Sequence, residues 1–365
     1  MKFAVLTRSV VPFHCGVGDY TVNFSKALRA RGVDAEVLAG RGAPSEHIHI
    51  ISDRWDKAGL ACLLDRMEQT RIDHVILQFT PLAFRNGETC REALATFWNR
   101  CWSRWKTSLV VHETYFRAWW YPPSWIKGTR EKTLLRRMVE QSHFVFTASQ
   151  PLVDEMRYWG GQSRISHLPI GSNLPFVEAK RSEARSRLAI NPDEIVLVLF
   201  GGGNSLKWMR NHVQSTDALL HSKGVKASWL LLGGIPNSWF RLRLPVVSPG
   251  RLSEEELSIR LQASDIFLMP HYAGLCAKRG TLMAAMQHRL PAVGTETPMT
   301  DAFWKDVRGI TLLPRVDAKG FAQSVLELSR DGQKRLVMGQ TNQDFFDHFC
   351  TWPTIADGFM NKVMQ

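Results

Sequence analysis

Short apolar runs alternate with helix-compatible segments along almost the whole chain. The first series opens with a strand pattern at Lys2–Thr7, a helix pattern at Asp19–Arg31 that Gly32 ends, and a second strand pattern at Val33–Leu38. Further apolar runs follow at His74–Phe79, Ser108–His112 and Phe144–Ala148. Such alternation predicts a parallel sheet that is covered by helices on both faces.

A second series of the same kind follows, so we expect two domains. Its strand patterns are Ile195–Phe200, Trp229–Leu232, Ile266–Met269, Pro291–Val293 and Ile310–Leu313. A chain of 365 residues also exceeds the size that one core usually serves, which favours two domains of about 170 residues each. The segment LPIGSNLPFVE at 168–178 carries the glycine and prolines of a connection. The predicted architecture is α/β with two Rossmann-like domains, residues 1–172 and 173–349, facing a central cleft at the carboxyl ends of their strands.

Composition narrows the class of protein. Hydrophobic residues make up 44% and charged residues 22%, which argues against a disordered or fibrous chain. No apolar run approaches the roughly 20 residues that span a bilayer, and the apolar run near the amino terminus is too short for a signal peptide, so a cytoplasmic protein is expected. The six cysteines lack C-x-x-C spacing, and a net charge of +12 favours an anionic partner: nucleic acid, a phosphorylated substrate or an acidic membrane face.

The segment from 264 to 293 has the pattern of a phosphate site. Its strand pattern stops at Pro270, and the cations Lys278 and Arg279 stand directly before a helix pattern that begins near Gly280 and Thr281. Free amide groups and the positive end of a helix dipole favour an anion, and the two side chains add full charges.

Two glycine-bearing loops follow predicted strands. In PFHCGVGDYTVNF, Gly16 and Gly18 precede a helix that Asp19 is predicted to cap, and the loop is either a ligand contact or a tight turn. It lacks the third glycine of a dinucleotide fingerprint. In FGGGNSLK, the glycines up to Gly203 precede Lys207, which either binds phosphate or is solvated, and the loop is not a Walker P-loop.

Polar residues at two further positions are candidates for the site. His112 and Glu113 follow an apolar run and are either a hydrogen-bonded strand end or groups that orient or deprotonate a sugar hydroxyl. The sequence SEEE at 253–256 is a capping box, and Arg251 before it faces either a nucleotide or solvent.

A tryptophan-rich basic region lies between Phe97 and Trp125. Its tryptophans alternate with arginines and a lysine, which suits a membrane interface or stacking on sugars and bases, while core packing is the third interpretation. The tryptophans are Trp98, Trp102, Trp105, Trp119, Trp120 and Trp125.

Taken in order, these segments resemble the GT-B glycosyltransferases, and specifically glycosyltransferase family 4. The matching segments are GVGDYTVNFSKALRARG, DHVILQFTP, VVHETY, LPIGSN, FGGGNSLK, LLLGG, PGRLSEEELSIRLQASDIFLMP and TWPTIADGF. The resemblance implies a carboxy-terminal domain that binds a nucleotide-sugar donor and an amino-terminal domain that binds the acceptor. It also implies a final helix, about 350–365, that crosses back to the first domain.

The resemblance also implies roles for individual residues. Lys207 matches a lysine that contacts the donor diphosphate, the Gly16–Gly18 loop faces the same diphosphate, and His112 matches a histidine near the transferred sugar. The catalytic candidates are His112, Glu113 and Asp19, and the donor-binding candidates are Gly16, Gly18, Gly203, Lys207, Arg251, Lys278, Arg279, Gly280 and Thr281. No metal and no cofactor is expected, since the nucleotide-sugar is a co-substrate and no D-x-D sequence is present.

Two departures from the family pattern leave two functions open. Cys276 and Ala284 stand where the family has two glutamates, and Gly202 stands where it has an arginine that Lys278 and Arg279 are expected to replace. One reading is a retaining, metal-independent glycosyltransferase for a saccharide or lipid-linked acceptor in bacterial polysaccharide or glycoconjugate synthesis, in peripheral contact with the acidic inner face of the membrane. The other is a non-catalytic subunit that binds a nucleotide-sugar or a partner. Nucleic-acid binding is disfavoured because the basic residues are dispersed.

Overall fold

A computed structural model of the protein describes residues 1–13, 15–81, 88–114, 122–159, 165–201 and 204–365. The chain divides into two compact units. The first consists of Met1–Pro169 together with Trp352–Gln365, and the second of Ile170–Thr351. Each unit has its own sheet and its own hydrophobic core.

Thirteen strands and thirteen helices form the described part of the chain. The strands are β1 (Lys2–Ser9), β2 (Asp34–Arg41), β3 (Ile48–Ile50), β4 (His74–Phe79), β5 (Lys106–Val111), β6 (Phe144–Thr147), β7 (Ile165–His167), β8 (Ile195–Phe200), β9 (Ala227–Leu232), β10 (Val246–Val247), β11 (Ile266–Met269), β12 (Ala292–Glu296) and β13 (Ile310–Pro314). The helices are α1 (Gly16–Arg29), α2 (Lys57–Gln69), α3 (Glu88–Arg104), α4 (Pro122–Glu140), α5 (Gln150–Trp159), α6 (Arg181–Arg187), α7 (Asn204–Trp208), α8 (Arg210–Ser222), α9 (Glu254–Gln262), α10 (Gly280–Gln287), α11 (Ala318–Arg330), α12 (Gly332–Phe349) and α13 (Trp352–Val363).

Both sheets are parallel throughout. The first has the strand order β3-β2-β1-β4-β5-β6-β7, and the second has the order β10-β9-β8-β11-β12-β13. The central strand β8 is apolar along its length, and β1 is apolar and buried from Phe3 to Leu6, as is typical of parallel sheets that are covered on both faces. The predicted α/β architecture with two Rossmann-like domains is therefore confirmed.

The last helix, α13, packs within the first unit. Phe359 lies edge-on to Phe24 of α1, with ring centroids 5.2 Å apart, and is fully buried. The guanidinium group of Arg31 donates to both carboxylate oxygens of Asp357, at 2.7 and 2.8 Å. The carboxyl-terminal residues thus contribute to the core of the unit that contains the amino terminus.

The sequence patterns missed three strands. β3, β7 and β10 are two or three residues long, and each lies at the edge of its sheet. An edge strand pairs on one side only and needs no continuous apolar run, so it gives a weak signal in the sequence. Gly32, in contrast, was predicted to end the first helix, and it adopts φ +80°, the left-handed conformation that follows many helix ends.

A buried histidine makes the first unit sensitive to acid. His74 is 2% exposed, its Nε2 lies 2.8 Å from Ser108 Oγ, and burial, with smaller contributions from His143 and Lys106, lowers its pKa to about 3. In the unfolded chain this histidine has an ordinary pKa near 6.5. Between about pH 3 and 6.5 the unfolded chain therefore binds a proton that the folded chain does not. The histidine therefore contributes fully to stability above about pH 6.5, and this contribution is lost as the pH falls towards 3.

We expect His74→Gln to weaken the pH dependence of stability between pH 6.5 and 4, by up to about 1.4 kcal/mol per pH unit. Glutamine can keep a hydrogen bond to Ser108 and does not titrate. Urea unfolding at a series of pH values measures this slope, with His221→Gln, at an exposed histidine, as the control. Equal slopes in wild type and His74→Gln would contradict the assignment.

Candidate functional site

The loop that follows β11 in the second unit is held rigidly. The Thr295 hydroxyl accepts from the backbone N–H of His271 at 2.9 Å and donates to its carbonyl at 2.7 Å. Further along the loop, the buried carboxylate of Asp301 accepts from the N–H of Ala277 at 2.7 Å. These bonds fix the backbone that leads into α10, so the site needs little reorganisation to receive a ligand.

The amino terminus of α10 is suited to an anion. The helix begins at Gly280, as the sequence predicted, with Arg279 at the N-cap position and no side-chain cap. Its first turn, which includes Thr281, contains no acidic residue. At α9, by comparison, Ser253 and Glu256 form the predicted capping box and satisfy the first amides. At α10, the N–H of Leu282 donates to the Arg279 carbonyl at 3.0 Å, but no side-chain cap accepts from the first amides.

Two cations stand at this helix start. The side chains of Lys278 and Arg279 are both partly exposed, yet Arg279 Nε is buried and has no hydrogen-bond partner among the described residues. Arg279 Nη2 lies 3.5 Å from His271 Nδ1. Burial first, and then the charges of Arg279 and Lys278, lower the pKa of His271 to about 3, so its ring is neutral at pH 7. A neutral ring can accept from the guanidinium group instead of repelling it.

His271 was missed by the sequence analysis. Its signal was its position directly after Pro270, at the carboxyl end of β11, where side chains of parallel strands meet ligands. Full charges and glycines indicate an anion site in a sequence more directly than a histidine whose neutrality arises from burial in the folded loop.

Glycine loops bring two neighbouring strand ends close together. Gly201, after β8, adopts φ +141°, and Gly233, after β9, adopts φ +80°. A Cβ on Gly233 would lie 3.1 Å from the carbonyl oxygen of Gly201, and a Cβ on Gly201 would lie 4.0 Å from Thr281 Cγ2. The first glycine of the triplet therefore lies next to the start of α10.

Two further donor-binding candidates are exposed side chains. Lys207 is exposed on the short helix α7, and Arg251 is exposed before the cap of α9. Gly203 and Gly202 lie outside the described residues. A direct diphosphate contact from Lys207 or Arg251 stays a prediction.

Both positions where the family has glutamates are buried. Cys276 is 4% and Ala284 is 1% exposed. The sequence from Pro270 to Ala284 also contains no acidic residue. The loop and helix start consequently carry positive charge without a carboxylate of their own.

In the first unit, His112 is oriented by a buried amide. Its Nε2 lies 2.7 Å from Gln78 Oε1, and Gln78 is 1% exposed. With that oxygen as acceptor, Nε2 carries the proton and Nδ1 is the basic nitrogen. The ring also lies edge-on to Tyr20, with centroids 4.8 Å apart. Burial raises the pKa of Tyr20, so the phenol stays neutral.

The other two catalytic candidates differ in their surroundings. Glu113 is exposed, and its Oε2 accepts weakly from the Thr80 hydroxyl at 3.4 Å. The prediction that Asp19 caps α1 is wrong. The helix begins at Gly16 with Cys15 at the N-cap position, so Asp19 already lies in the first turn, where its backbone is helical and its N–H donates to the Cys15 carbonyl.

Gly16 and Gly18 were predicted to precede the first helix, but both lie in the first turn of α1, and their surroundings differ. A Cβ on Gly18 would lie 2.2 Å from the carbonyl oxygen of Ser9, whereas a Cβ on Gly16 would meet nothing within 4 Å. Gly18 therefore allows α1 to pack closely on β1. Contact of this loop with a donor diphosphate stays a prediction.

The tryptophan-rich region is not a single surface. Trp98 is fully buried, and its indole N–H lies 3.0 Å from Ser142 Oγ, so core packing is correct for this residue. Trp102 is 40% exposed and Trp105 packs partly against the core. Trp119 and Trp120 lie outside the described residues, as does the side chain of Trp125. Among the described helices, none has both the length and the apolar character that a membrane span requires.

No protein-family model and no curated protein sequence matches the chain. Solved structures do match it over its whole length. A sucrose-phosphate synthase from Thermosynechococcus elongatus has a TM-score of 0.72 at 14% identity, covering 100% of this chain and 98% of that one. HepE from Anabaena, in complex with UDP and glucose, has a TM-score of 0.71 at 15% identity, covering 100% and 99%. WaaG, a glycosyltransferase involved in lipopolysaccharide biosynthesis, has a TM-score of 0.70 at 12% identity, covering 98% of each chain.

The chain therefore has the GT-B fold, as the resemblance implied. Identities this low establish the fold alone, and membership of family 4 stays a prediction.

We expect Gly18→Ala to lower the free energy of unfolding by about 1–3 kcal/mol, because the added methyl group would force α1 away from β1. Gly16→Ala is the matched control two residues earlier and should stay within about 0.5 kcal/mol of wild type. Urea unfolding measures both. Equal stability of the two variants would show that the close helix–strand approach is not a constraint.

Proposed function

We propose that the protein is a metal-independent, retaining glycosyltransferase that moves a sugar from a nucleotide-sugar donor to a saccharide acceptor. The observation that carries the proposal is the start of α10, where amides without a side-chain cap, Lys278 and Arg279 form a cationic site in a segment that contains no acidic residue from Pro270 to Ala284. HepE, which has the same fold, was solved with UDP-glucose, and this supports a nucleotide-sugar as donor.

The chemistry follows from charge. Cleavage of the bond between sugar and nucleotide leaves negative charge on the departing diphosphate. Fixed amides and cations that meet this charge lower the barrier, since they need no reorganisation during the reaction. We assign this task to the start of α10 with Lys278 and Arg279, and to Lys207 on α7. The second unit then binds the donor, and the first unit binds the acceptor.

His112 is assigned to the transferred sugar. Gln78 Oε1, 2.7 Å from His112 Nε2, orients the ring. Glu113 and Asp19 remain candidates for orienting the acceptor.

We further propose a lipid-linked acceptor and synthesis of a bacterial polysaccharide or glycoconjugate at the cytoplasmic face of the membrane. The net charge of +12 would favour peripheral contact with acidic lipids. WaaG, again with the same fold, is a glycosyltransferase of lipopolysaccharide biosynthesis.

A specific observation favours the alternative of a non-catalytic subunit that binds a nucleotide-sugar or a partner. The positions of the usual glutamates hold the buried Cys276 and Ala284, which cannot hydrogen-bond a ribose or sugar hydroxyl as a carboxylate does. Calorimetry with UDP-glucose, ADP-glucose and GDP-mannose, followed by an assay for nucleotide release with a panel of saccharide acceptors, separates the two functions. Binding without transfer to any acceptor would favour the subunit.

We expect Arg279→Gln to weaken UDP binding about tenfold, because a charge-assisted hydrogen bond to phosphate is lost. Calorimetric titration with UDP measures the affinity. Lys223→Gln removes an exposed cation at the end of α8 and is the control for net charge. An affinity for UDP that is the same in both variants would remove Arg279 from the proposed site.

We expect transfer to continue at an unchanged rate in excess EDTA, because the amides and cations of the second unit supply the positive charge that a metal ion provides elsewhere. A rate that falls with EDTA and returns with Mg²⁺ or Mn²⁺ would show that the metal-independent mechanism is wrong.

A further inference from the structure

Two arginines lie at the carboxyl ends of neighbouring strands in the first unit. Arg8 is the penultimate residue of β1, and Arg41 is the last residue of β2, in register with Ser9. The turn after β1 is attached to β2 by a bond of 3.0 Å from the N–H of Val10 to the carbonyl of Arg41. Ligands of open parallel sheets bind beyond this edge.

The two guanidinium groups are close enough to influence each other. Burial lowers the pKa of Arg8, and the charge of Arg41 lowers it further, while Asp53 acts in the opposite direction. Arg8 donates to the backbone carbonyl of Asp53, but the carboxylate of Asp53 forms no ion pair with a described residue. Arg41 has no ion pair within the described ranges either. Two like charges are therefore held together without the close carboxylate that usually accompanies such a pair.

Arg41 is also held in one orientation. Its guanidinium carbon lies 4.5 Å from the centre of the Phe13 ring. Stacking occupies the face of the guanidinium plane and leaves the donors at its edge for a planar or tetrahedral anion. Phe13 is 43% and Val11 is 61% exposed, so apolar surface adjoins the cations.

Solvated arginines are common on protein surfaces, so exposure alone does not indicate a binding site. Here one of the pair is half-buried, the other is stacked, and both are placed at the ligand-binding edge of the sheet. We propose that Arg8 and Arg41 bind a phosphate group of the acceptor, with Val11 and Phe13 contacting the apolar part of the same molecule. This proposal rests on the proposed function, in which the first unit binds the acceptor. The phosphate belongs either to a lipid headgroup or to a free sugar phosphate.

The first experiment measures phosphate binding directly. Inorganic pyrophosphate is titrated calorimetrically into protein that carries Arg279→Gln, so that the anion site of the second unit is weakened. Adding Arg41→Gln should reduce the affinity about tenfold, whereas adding Arg100→Gln, at an exposed arginine of α3, should not change it. Equal affinities in these two variants, or no binding of pyrophosphate at all, would overturn the proposal.

Arg41 is the main test because it is exposed, and its replacement is not expected to disturb the fold. Arg8→Gln is the second variant. Its affinity for pyrophosphate is interpreted only if its urea unfolding matches that of wild type. UDP affinity is measured in Arg41→Gln with Arg279 intact. If UDP does not bind to wild type, the proposed function fails while the pyrophosphate result still decides the arginine site.

The second experiment identifies the source of the phosphate. Sedimentation with phosphatidylcholine vesicles that do or do not contain phosphatidylglycerol measures lipid binding. For a lipid headgroup, wild type should bind the acidic vesicles, and both Arg41→Gln and Phe13→Ser should lose most of this binding. For a free sugar phosphate, pyrophosphate should bind to the arginine site while acidic vesicles bind wild type and Arg41→Gln equally or not at all.

Discussion

Parallel pairing of β8 with β11 is the constraint on which the candidate donor site depends. The pairing aligns Leu197 with Ile266 and Leu199 with Leu268, so both strands reach the same sheet edge. The glycine loop after β8 and the loop that leads to α10 then emerge side by side. Gly201 and Thr281 are far apart in the sequence, but they lie close together because the two loops emerge at the same sheet edge.

The opposite edge of the same sheet has a large cavity whose arginines are engaged in ion pairs. A depression of about 1610 Å³ lies at the amino ends of the strands, near Asp265. The carboxylate of Asp265 accepts from the N–H of Val196 at 2.8 Å and from Arg181 and Arg185 at 2.6 and 3.1 Å. Arg185 also donates to the carbonyl of Ala263. The terminal nitrogens of both arginines are thus used in joining helix α6 to the sheet, whereas Arg279 forms no ion pair with a described residue.

Sequence predicted the parts of the molecule that depend on local pattern. Central strands such as β4 and β8 were predicted to the residue, since strands that are buried on both faces are rich in apolar residues. The start of α10 was predicted from cations before a helix pattern. The role of Gly18 and the position of Asp19 were not, because they depend on how closely α1 approaches Ser9, a distance that no local pattern encodes. The lowered pKa of His271 likewise arises from burial and from charges that only the folded loop brings together.

The absence of acidic residues from Pro270 to Ala284 and the presence of Lys278 and Arg279 have the same consequence for electrostatics. A carboxylate beside Lys278 and Arg279 would neutralise part of their charge and would repel a diphosphate. With Cys276 and Ala284 at the positions where the family has glutamates, the segment adds no carboxylate to the buried one of Asp301, which accepts from the N–H of Ala277, and His271 is neutral. Such a site should favour the diphosphate over the sugar as the main source of binding energy. We therefore expect tight binding of the nucleotide and weak discrimination among the sugars attached to it. Calorimetric comparison of UDP with several UDP-sugars measures this difference.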